Sequence, residues 1–507
     1  MDLWTVILTI AVGAFCAYLF FTRNHNYFKK HGIPYVKPNP IFGTLTAAIF
    51  QFKTLPEVIE ESYQCHPEAK YVGCFDFTTP VILLKDPELV KSITIKNFDS
   101  FPDHQMFTDS PTEPLFQKNL FALTGEAWRD MRTILSPAFT SSKMKMMFKT
   151  MSECAINFSD YLVKSDSQHG ALDMKDTFGR YTLDVIASTA FGLRVNSLKD
   201  RENEFYRTGK SVADFSGVKM FKFFFIKNFR WLSKLFNIKI LDRAAEEFFS
   251  NAIKTTIATR QKEGIVRPDM IQLMMQSGDR KEKSPLSIED MTAQAFIFFL
   301  GGFDSPATTM SFAARLLALN PEVQKKLQAE IDRELERGAG EISYENLHTM
   351  KYLDAVVSET LRMFPPSVIM DRVGDQSFIL PPSLPGLEPL QIQPGQNVWI
   401  PCYSFHHDPK YFSDPEKFDP ERFNEENKSK ISPLVYFPFG LGPRICIATR
   451  FALMEVKLAL FHLLAKCNIL PSSKTQPRIE LNPKTFVLEP KDGFWLNVEP
   501  RIKEDWL

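Results

Sequence analysis

The sequence predicts a mainly α-helical protein with a small β-sheet region, preceded by one N-terminal transmembrane helix. The first observation is an uncharged stretch at residues 3–21, which is long enough to span a bilayer. The second is a set of long segments in which apolar residues recur at helical spacing. The third is that β-rich runs are few, short and bounded by turn residues. Together they favour a large helical domain behind a membrane anchor.

The N-terminal stretch has the length and flanks of an anchor. As a helix, residues 3–21 would extend over roughly 28 Å, about the thickness of a hydrocarbon core. Basic residues follow at Arg23, Lys29 and Lys30, which favours a cytosolic position for the rest of the chain. A cleaved signal peptide is the alternative, but the stretch is longer than an h-region and no clear A-x-A site follows. We therefore expect an uncleaved anchor.

Domain organisation follows from what lies behind this anchor. We expect the anchor over residues 1–22 and a basic, proline-rich hinge over 23–43, because proline restricts the backbone and removes N–H donors. No low-complexity linker or internal repeat divides the remaining chain. Residues 44–507 are therefore predicted to form a single large domain.

Composition excludes several classes of protein. The 507 residues include 60 Lys plus Arg and 60 Asp plus Glu, so no net charge favours binding to nucleic acid. With 44% apolar and 24% charged residues, the chain is neither disordered nor a multi-span membrane protein. Seven irregularly spaced cysteines argue against a disulfide framework, and none has zinc-ligand spacing. The 46 Phe against 22 Gly indicate an interior filled or lined by aromatic rings.

The clearest helix begins at the capping-box-like Ser287-x-x-Asp290 and continues to Asn320, where Pro321 begins the next helix. Residues 293–303 are apolar on every face, which is typical of a helix that crosses a large core. Proline ends a second helix at 352–363, and a third follows Cys446 with one apolar stripe. Strands are predicted at 71–77, 81–84 and 397–403.

Two further segments have less specific patterns. Phenylalanine, tryptophan and lysine alternate over residues 215–232, which favours a loop that dips into the membrane interface over ordinary core packing. His406-His407-Asp408 is the one clustered histidine motif, and without helical metal spacing it is interpreted as a surface turn.

The segment Phe439-x-x-Gly442-x-Arg444-x-Cys446 carries the chemistry, because it places a thiol just before an amphipathic helix. Unpaired backbone N–H groups and the positive end of the helix dipole favour the thiolate there, which predicts a lowered pKa for Cys446. A thiolate in that position is a candidate metal ligand. These four residue types at fixed spacing arise by chance rarely.

This segment resembles the haem-binding loop of the cytochrome P-450 haem-thiolate monooxygenases, and the resemblance covers essentially the whole chain. The overall pattern is most similar to microsomal insect members that handle xenobiotics. The resemblance implies haem b as cofactor, with Cys446 as axial iron ligand, Phe439 packed over the sulfur and Arg444 at a propionate. Gly442 belongs to the same motif. Ala448 stands where the family has glycine, which adds one methyl group near the haem.

Other segments agree with the family in order. Glu359-x-x-Arg362 and the later Arg422 resemble a buried structural network behind the haem, although a lone Glu/Arg pair is ordinarily a solvated ion pair. Trp128-x-x-x-Arg132 is similar to the propionate-contacting helix. Another propionate partner is expected at Arg372.

The resemblance assigns the distal oxygen pocket to Gly301-Gly302-Phe303-Asp304-Ser305-Pro306 on the long helix. In the family an acid and a threonine here assist proton delivery, so Asp304 and Ser305 are the expected catalytic residues. Serine keeps the hydroxyl but lacks the methyl that fixes its rotamer. Pro306 cannot donate to the Gly302 carbonyl, which predicts a local distortion.

The resemblance also implies an apolar pocket for a lipophilic substrate. By family position, the pocket residues would be Phe101, Phe107, Phe121, Phe298, Phe303, Ile369, Met370, Phe486 and Val487.

The implied reaction is oxidation of this substrate with O2 and electrons from NADPH. The sequence has neither a GxGxxG fingerprint nor a Walker A loop, so the electrons would come from a separate NADPH-cytochrome reductase, with cytochrome b5 as a possible second donor. The implied location is the endoplasmic reticulum membrane, with the catalytic domain in the cytosol. A basic docking face could be formed by Arg129, Lys143, Lys145, Lys149, Arg450 and Lys457.

Two alternatives remain open at this point. One is a haem-thiolate isomerase or dehydratase without external electrons, since Ser305 and Pro306 depart from the family pattern. The other is a non-catalytic haem sensor, which would need a second protein ligand to the iron.

Overall fold

The computed structural model describes residues 2–105, 113–165, 170–267, 269–279 and 286–501. Helices account for most of this chain, and the strands are short. The predicted fold class, mainly α with a small β region and one apolar N-terminal helix, is confirmed. The α-helices are α1 Leu3–Thr22, α2 Tyr27–Lys30, α3 Thr46–Ile49, α4 Leu55–Tyr63, α5 Pro87–Lys91, α6 Pro114–Gln117, α7 Gly125–Leu135, α8 Ser141–Ser165, α9 Met174–Ile186, α10 Glu204–Ala213, α11 Gly217–Asn228, α12 Arg230–Leu235, α13 Arg243–Glu263, α14 Met270–Met275, α15 Ile288–Leu319, α16 Pro321–Arg337, α17 Tyr344–Thr349, α18 Lys351–Met363, α19 Cys402–His407, α20 Glu425–Lys428 and α21 Thr449–Lys466.

The strands form three small sheets. One has four strands in the order β1-β2-β7-β4, one has three in the order β3-β9-β8, and β5 pairs with β6. In the four-stranded sheet β2 and β7 run parallel, and the other neighbours are antiparallel. The strands are β1 Tyr71–Asp76, β2 Thr79–Leu84, β3 Leu172–Asp173, β4 Met370–Val373, β5 Phe378–Leu380, β6 Leu390–Ile392, β7 Asn397–Ile400, β8 Cys467–Pro471 and β9 Trp495–Pro500.

The central element is α15, which crosses the core and packs against α9, α13, α18 and α21. Its predicted start is confirmed, because the Ser287 hydroxyl accepts from Asp290 N at 3.0 Å and the Asp290 carboxylate accepts from Ser287 N at 3.3 Å. The helix continues through Pro306 to Leu319. The proline therefore removes one backbone donor without ending the helix, and the Ser305 hydroxyl donates to Gly301 O at 2.6 Å in the same turn.

The four-stranded sheet receives the chain that follows α1. Residues 23–43, predicted as a spacer, lie against it: Phe28 is fully buried on Phe75, with ring centroids 5.2 Å apart. Gly73 N donates to Pro34 O at 2.8 Å. Gly73 itself leaves room for Phe28, because a Cβ on it would lie 2.4 Å from the Phe28 ring. The segment is thus part of the packed fold.

Helix α1 has none of its residues buried. Among the described residues, it is the one helix whose length and apolar composition suffice to cross a membrane. Its end meets the rest of the protein through Phe21, whose ring lies 6.4 Å from that of Phe229. The residues predicted to form a membrane-dipping loop, 215–232, instead form α11 and the first half of α12.

Two local predictions at the end of β7 are wrong. The strand predicted to extend to residue 403 ends at Ile400, because α19 begins at Cys402. The histidines assigned to a surface turn are buried in this helix, His406 completely. Their ring nitrogens bond to backbone groups, which removes the cost of burying imidazole. No periodicity over so short a helix marks this environment.

Candidate active site

A cavity of about 430 Å³ lies between α15 and the segment that leads into α21. Cys446, Phe439 and Ala448 line one wall. The opposite wall contains Gly301 and Ser305 of α15, together with Gly302 and Pro306. A Cβ on Gly301 would meet no atom within 4 Å, so this glycine leaves the wall open. The structure therefore brings the cysteine loop, residues 437–446, and the predicted distal segment, residues 301–306, to the same cavity.

The cysteine loop has a tight backbone that only glycine permits. Gly442 has φ +71°, and a Cβ on it would lie 1.9 Å from Thr94 O. Gly440 has φ +87° and donates to Phe437 O at 2.9 Å. The loop closes when Cys446 N donates to Phe439 O at 2.9 Å. These constraints direct the Cys446 side chain into the cavity.

The Cys446 thiol lies deep in the protein but is exposed to the cavity. The predicted lowering of its pKa is wrong in net direction, because burial raises the pKa of this thiol above its usual value. The Ala448 backbone N–H, the Thr449 hydroxyl and the charge of Arg132 act in the predicted direction, but burial outweighs them.

Two buried guanidinium groups lie at one edge of the cavity. Arg444 donates to Asp103 Oδ1 at 2.7 Å and to Pro102 O at 2.8 Å, while its Nη1 is buried without a hydrogen-bond partner. Arg372 is 1% exposed, and its Nε likewise has no partner. Burial lowers the pKa of each to about 10, so both stay charged at neutral pH.

Trp128 and Arg132 join this edge from α7. The Arg444 guanidinium lies 4.1 Å above the Trp128 ring, a cation–π contact that holds both side chains. The space between a thiol wall and a glycine wall, with unsatisfied cationic donors at its edge, fits a flat apolar group that carries carboxylates. Haem is such a group.

His104 was not identified from the sequence. It lines the same edge, its Nδ1 lies 2.9 Å from Asp371 Oδ1, and its ring stacks on Phe121 at 4.5 Å. Burial, followed by the charge of Arg372, lowers the pKa of His104, so the ring is neutral at physiological pH. The segments that meet here are more than two hundred residues apart in the chain, and no short motif connects them.

The predicted pocket residues do not all line this cavity. Phe121, Phe298 and Met370 line the cavity. Phe101 is buried against Phe378 at 5.2 Å, and Ile369 is buried in the core outside the lining. Phe107 lies outside the described residues. Three others line a second, smaller cavity of about 210 Å³ behind α15: Phe303, Phe486 and Val487.

Helix geometry explains part of this separation. At about 100° per residue, residues 298, 301, 302 and 305 face the first cavity, whereas 303, 304 and 307 face the second. Asp304 lies on the second cavity and pairs with Lys175 Nζ at 2.7 Å, and Lys175 was not predicted as a site residue. Ser305 lies on the first. The two expected catalytic residues therefore open to opposite sides of α15.

The three residues expected to form a network behind the site are in contact. Both Glu359 oxygens accept from Arg362, at 2.7 and 2.9 Å, and both side chains are fully buried. Arg422 approaches Glu359 at 3.4 Å as an ion pair, and Asp419 N donates to the same carboxylate at 3.0 Å. Burial raises the pKa of Glu359, and the Arg362 charge opposes that shift.

One member of the predicted basic face is not on the surface. Lys457 is buried and paired with Asp354 at 2.7 Å, because its position on α21 faces α18. Arg129 and Lys145 are exposed but pair with Asp99 and Glu345. Lys143, Lys149 and Arg450 are partly or fully exposed.

Comparison with known proteins gives consistent matches. A family model described as Cytochrome P450 matches residues 33–497. Cytochrome P450 9e2 of Blattella germanica is 43% identical, over 99% of this chain and 99% of its own length. Probable cytochrome P450 9f2 of Drosophila melanogaster is 39% identical, over 98% and 100%. Cytochrome P450 6j1 of Blattella germanica is 36% identical, over 97% of each.

Proposed function

Because the chain belongs to the cytochrome P450 family and is a haem monooxygenase, we propose that it is a microsomal enzyme that oxidises lipophilic compounds, xenobiotics among them. Family membership implies a haem held by a cysteine thiolate and electrons from a redox partner. The observation that carries the proposal is the cavity with Cys446 on one wall and the Gly301–Ser305 turn on the other.

Cys446 is the proposed iron ligand. When haem is bound, a thiolate-ligated iron supplies reductive activation of O2. The loop fixes the sulfur through the Cys446 N to Phe439 O bond and the left-handed φ of Gly442, which glycine adopts without strain. Phe439 and Ala448 line the cavity beside Cys446, and Phe439 is proposed to shield the sulfur from water.

Arg132, Arg372 and Arg444 are the proposed propionate partners, with Trp128 beside them. The unpartnered Nε of Arg372 and Nη1 of Arg444 are buried donors, and such donors cost free energy unless an acceptor reaches them. A carboxylate would satisfy both. His104 lines the same edge of the cavity and is proposed as a further polar neighbour of the propionates.

Ser305 and Asp304 are proposed to deliver protons. The Ser305 hydroxyl faces the cavity and now donates to Gly301 O, so it must rotate to donate toward the cavity. The Asp304 carboxylate opens to the second cavity, where it pairs with Lys175, so its proposed part lies on the side of α15 opposite Ser305.

Substrate binding is proposed to depend on burial of apolar area. Phe121, Phe298 and Met370 line the cavity together with Leu120 and Ile297. These side chains offer few polar partners, so they favour lipophilic compounds over a single hydrogen-bonded substrate. This character supports a broad substrate class.

Membrane attachment is proposed through α1 and through the apolar surface of α11 and α12. Trp231 and Leu235 in α12 and Phe236 directly after it are each about two-thirds exposed. Lysines lie between such residues, a pattern typical of an interfacial helix. We propose the endoplasmic reticulum membrane, with the catalytic domain in the cytosol and α11 and α12 near the lipid surface.

The electrons are proposed to come from NADPH through a separate flavoprotein reductase, with cytochrome b5 as a second donor. Exposed basic side chains at Arg129, Lys143, Lys149 and Arg450 support an acidic partner surface. Lys457 is excluded from this set by its burial.

The test uses the full-length protein in phospholipid vesicles with a microsomal reductase. Turnover of a panel of lipophilic compounds should require both NADPH and reductase, and Cys446→Ser should lose the thiolate-type carbon monoxide difference spectrum. Turnover of a peroxide substrate without reductase would instead indicate an isomerase. A Cys446→Ser protein with an unchanged spectrum would disprove the ligand assignment.

A further inference from the structure

The imidazole of His406 is completely buried on α19 and lies between two segments that the proposed function needs. Its Nδ1 is 3.2 Å from Arg362 O, and its Nε2 is 3.1 Å from Phe437 N. Arg362 belongs to the buried ion pair, whereas Phe437 begins the cysteine loop. One side chain thus bridges two backbones that are far apart in sequence.

The contacts determine the tautomer of the ring. Phe437 N–H is a donor, so it requires an unprotonated Nε2, and the ring proton must then lie on Nδ1. There it is donated to Arg362 O. Burial, followed by the charges of His407 and Arg362, lowers the pKa of His406 well below its usual value. The ring is therefore neutral and has one defined orientation.

The bridge is reinforced from both sides. The Arg362 Nη1 donates back to His406 O at 2.8 Å, so the backbone of α19 is tied to the same guanidinium that binds Glu359. The ring also stacks on Tyr436 at 5.3 Å, and the Tyr436 hydroxyl donates to Ser358 O at 3.0 Å. The imidazole cannot move without breaking several of these contacts.

The backbone position of Phe437 determines where the cysteine loop begins. Gly440 N donates to Phe437 O, and Cys446 N donates to Phe439 O, so the first turn of the loop is built on this residue. We propose that His406 is a positioning residue that transmits the fixed geometry of the Glu359–Arg362 pair to the cysteine loop and so sets the position of the Cys446 sulfur. This inference rests on the proposed role of Cys446 as iron ligand.

Two amide side chains can separate the two contacts of the ring. A glutamine amide reaches as far as Nε2 and can accept from Phe437 N, whereas the shorter asparagine reaches only the position of Nδ1. The neighbouring His407 provides the matched control, because it is also buried but its Nδ1 bonds to Tyr403 O within α19.

The experiment compares full-length holoproteins carrying His406→Gln, His406→Asn and His407→Asn. Two measurements are made: the carbon monoxide difference spectrum of the reduced protein, and the rate of haem transfer to excess apomyoglobin. We expect His406→Asn to lose thiolate-type signal and to release haem about tenfold faster, the usual scale for an outer-shell partner. His406→Gln and His407→Asn should stay near wild type.

Equal behaviour of His406→Asn and His406→Gln would overturn the inference, whether both resemble wild type or both are impaired. If His406→Asn does not accumulate, ¹⁵N-histidine NMR of the wild-type ferrous carbon monoxide complex decides. The His406 resonances, assigned by their loss in His406→Gln, should show a neutral ring protonated on Nδ1, and a proton on Nε2 would rule the bridge out.

Cys446→Ser separates the failure of this inference from failure of the proposed function. If Cys446→Ser loses the thiolate-type signal while every His406 variant keeps it, only the role of His406 is wrong. If Cys446→Ser keeps the signal, the ligand assignment itself is wrong.

Discussion

The two sides of the cavity are built from different interactions. On the cysteine side, α18, α19 and the loop are joined by directional bonds, such as the Glu359–Arg362 pair and the Phe437–His406 contact. On the far side, α15 packs on α13 through aromatic rings, for example Phe249 on Phe299 at 5.1 Å. Directional bonds fix distances, whereas apolar packing tolerates repacking at similar volume. The first suits a ligand held at one position, and the second suits substrates of varied shape.

The largest effect should come from Glu359→Gln on the cysteine side. The change leaves the Arg362 charge buried without its partner, and removal of one member of a buried pair costs about 3–5 kcal/mol. Urea unfolding of the holoprotein, followed by circular dichroism, measures this loss. The exposed pair of Glu345 with Lys145 is the control, and Glu345→Gln should cause no measurable change. A similar loss of unfolding free energy in both variants would contradict the view that directional bonds hold the cysteine side more firmly than the surface.

Gly442→Ala should have the next largest effect. The added Cβ would meet Thr94 O at 1.9 Å, so the loop must move and haem content should fall about tenfold, as measured by absorbance per polypeptide. Gly386 also has positive φ, at +85°, but a Cβ on it meets nothing within 4 Å. Gly386→Ala should cost only about 1–2 kcal/mol of stability and keep its haem. Loss of haem from both would refute the steric explanation.

A third prediction concerns the contact between Glu113, at the start of α6, and the segment that precedes α13. The Glu113 carboxylate accepts from Ile240 N and, at 3.1 Å, from Leu241 N, and burial raises its pKa to about 7. At pH values between the ordinary pKa of glutamate, about 4.5, and the raised pKa of about 7, Glu113 keeps its proton in the folded state. The unfolded chain has already lost this proton there. The free energy of unfolding should fall as the pH rises from about 4.5 to about 7, by on the order of 1–3 kcal/mol.

Urea unfolding at pH 5.5 and pH 7.5 tests this dependence. Glu113→Gln keeps an acceptor for both N–H groups but cannot titrate, so the contribution of this site should disappear. An identical pH slope in wild type and variant would show that Glu113 does not titrate in this window.

Trp231→Ser should leave stability within about 0.5 kcal/mol, because the side chain is 69% exposed. If the α12 surface contacts lipid, binding to phospholipid vesicles should weaken in a protein whose α1 has been removed. Lys234→Ser on the same helix is the control for surface charge. Unchanged vesicle binding by Trp231→Ser would place the membrane contact elsewhere.

The smallest effect is expected at the helix between the two sides. Ser305→Thr restores a methyl group that restricts the rotamer of the cavity-facing hydroxyl. Peroxide released per NADPH consumed should fall, by roughly twofold or less than 1 kcal/mol. The ratio is measured with a lipophilic substrate and reductase present. An unchanged ratio would show that hydroxyl mobility does not control proton delivery.

The sequence predicted those parts of the site that follow from local spacing. The capping box at Ser287 is a pattern within one helix, and it forms as expected. The apolar spacing after Cys446 predicted the helix α21, but the single apolar stripe was wrong, because every residue from Met454 to Leu464 is buried. Glu359 and Arg362 lie one turn apart, so their contact is local. Arg422 could be added only because the resemblance to the family supplied its partner.

The parts that were missed depend on contacts between distant segments. Lys175 reaches Asp304, and His406 reaches Phe437, from separate elements that no periodicity connects. The predicted lowering of the pKa of the Cys446 thiol was also wrong, because a helix N-terminus can be recognised in the sequence but the depth of burial cannot. Phe303 was misplaced for a related reason: helical spacing gives the faces of α15 but not which face meets the cavity.

The packing of Phe28 on Gly73 has a mechanical consequence. It couples the chain just behind α1 to β1, and the ladder β1-β2-β7-β4 runs unbroken from there to Arg372 at the cavity edge. A sideways displacement of α1 would therefore be transmitted through four hydrogen-bonded strands to the Arg372 guanidinium, which we propose as a partner of the haem carboxylates.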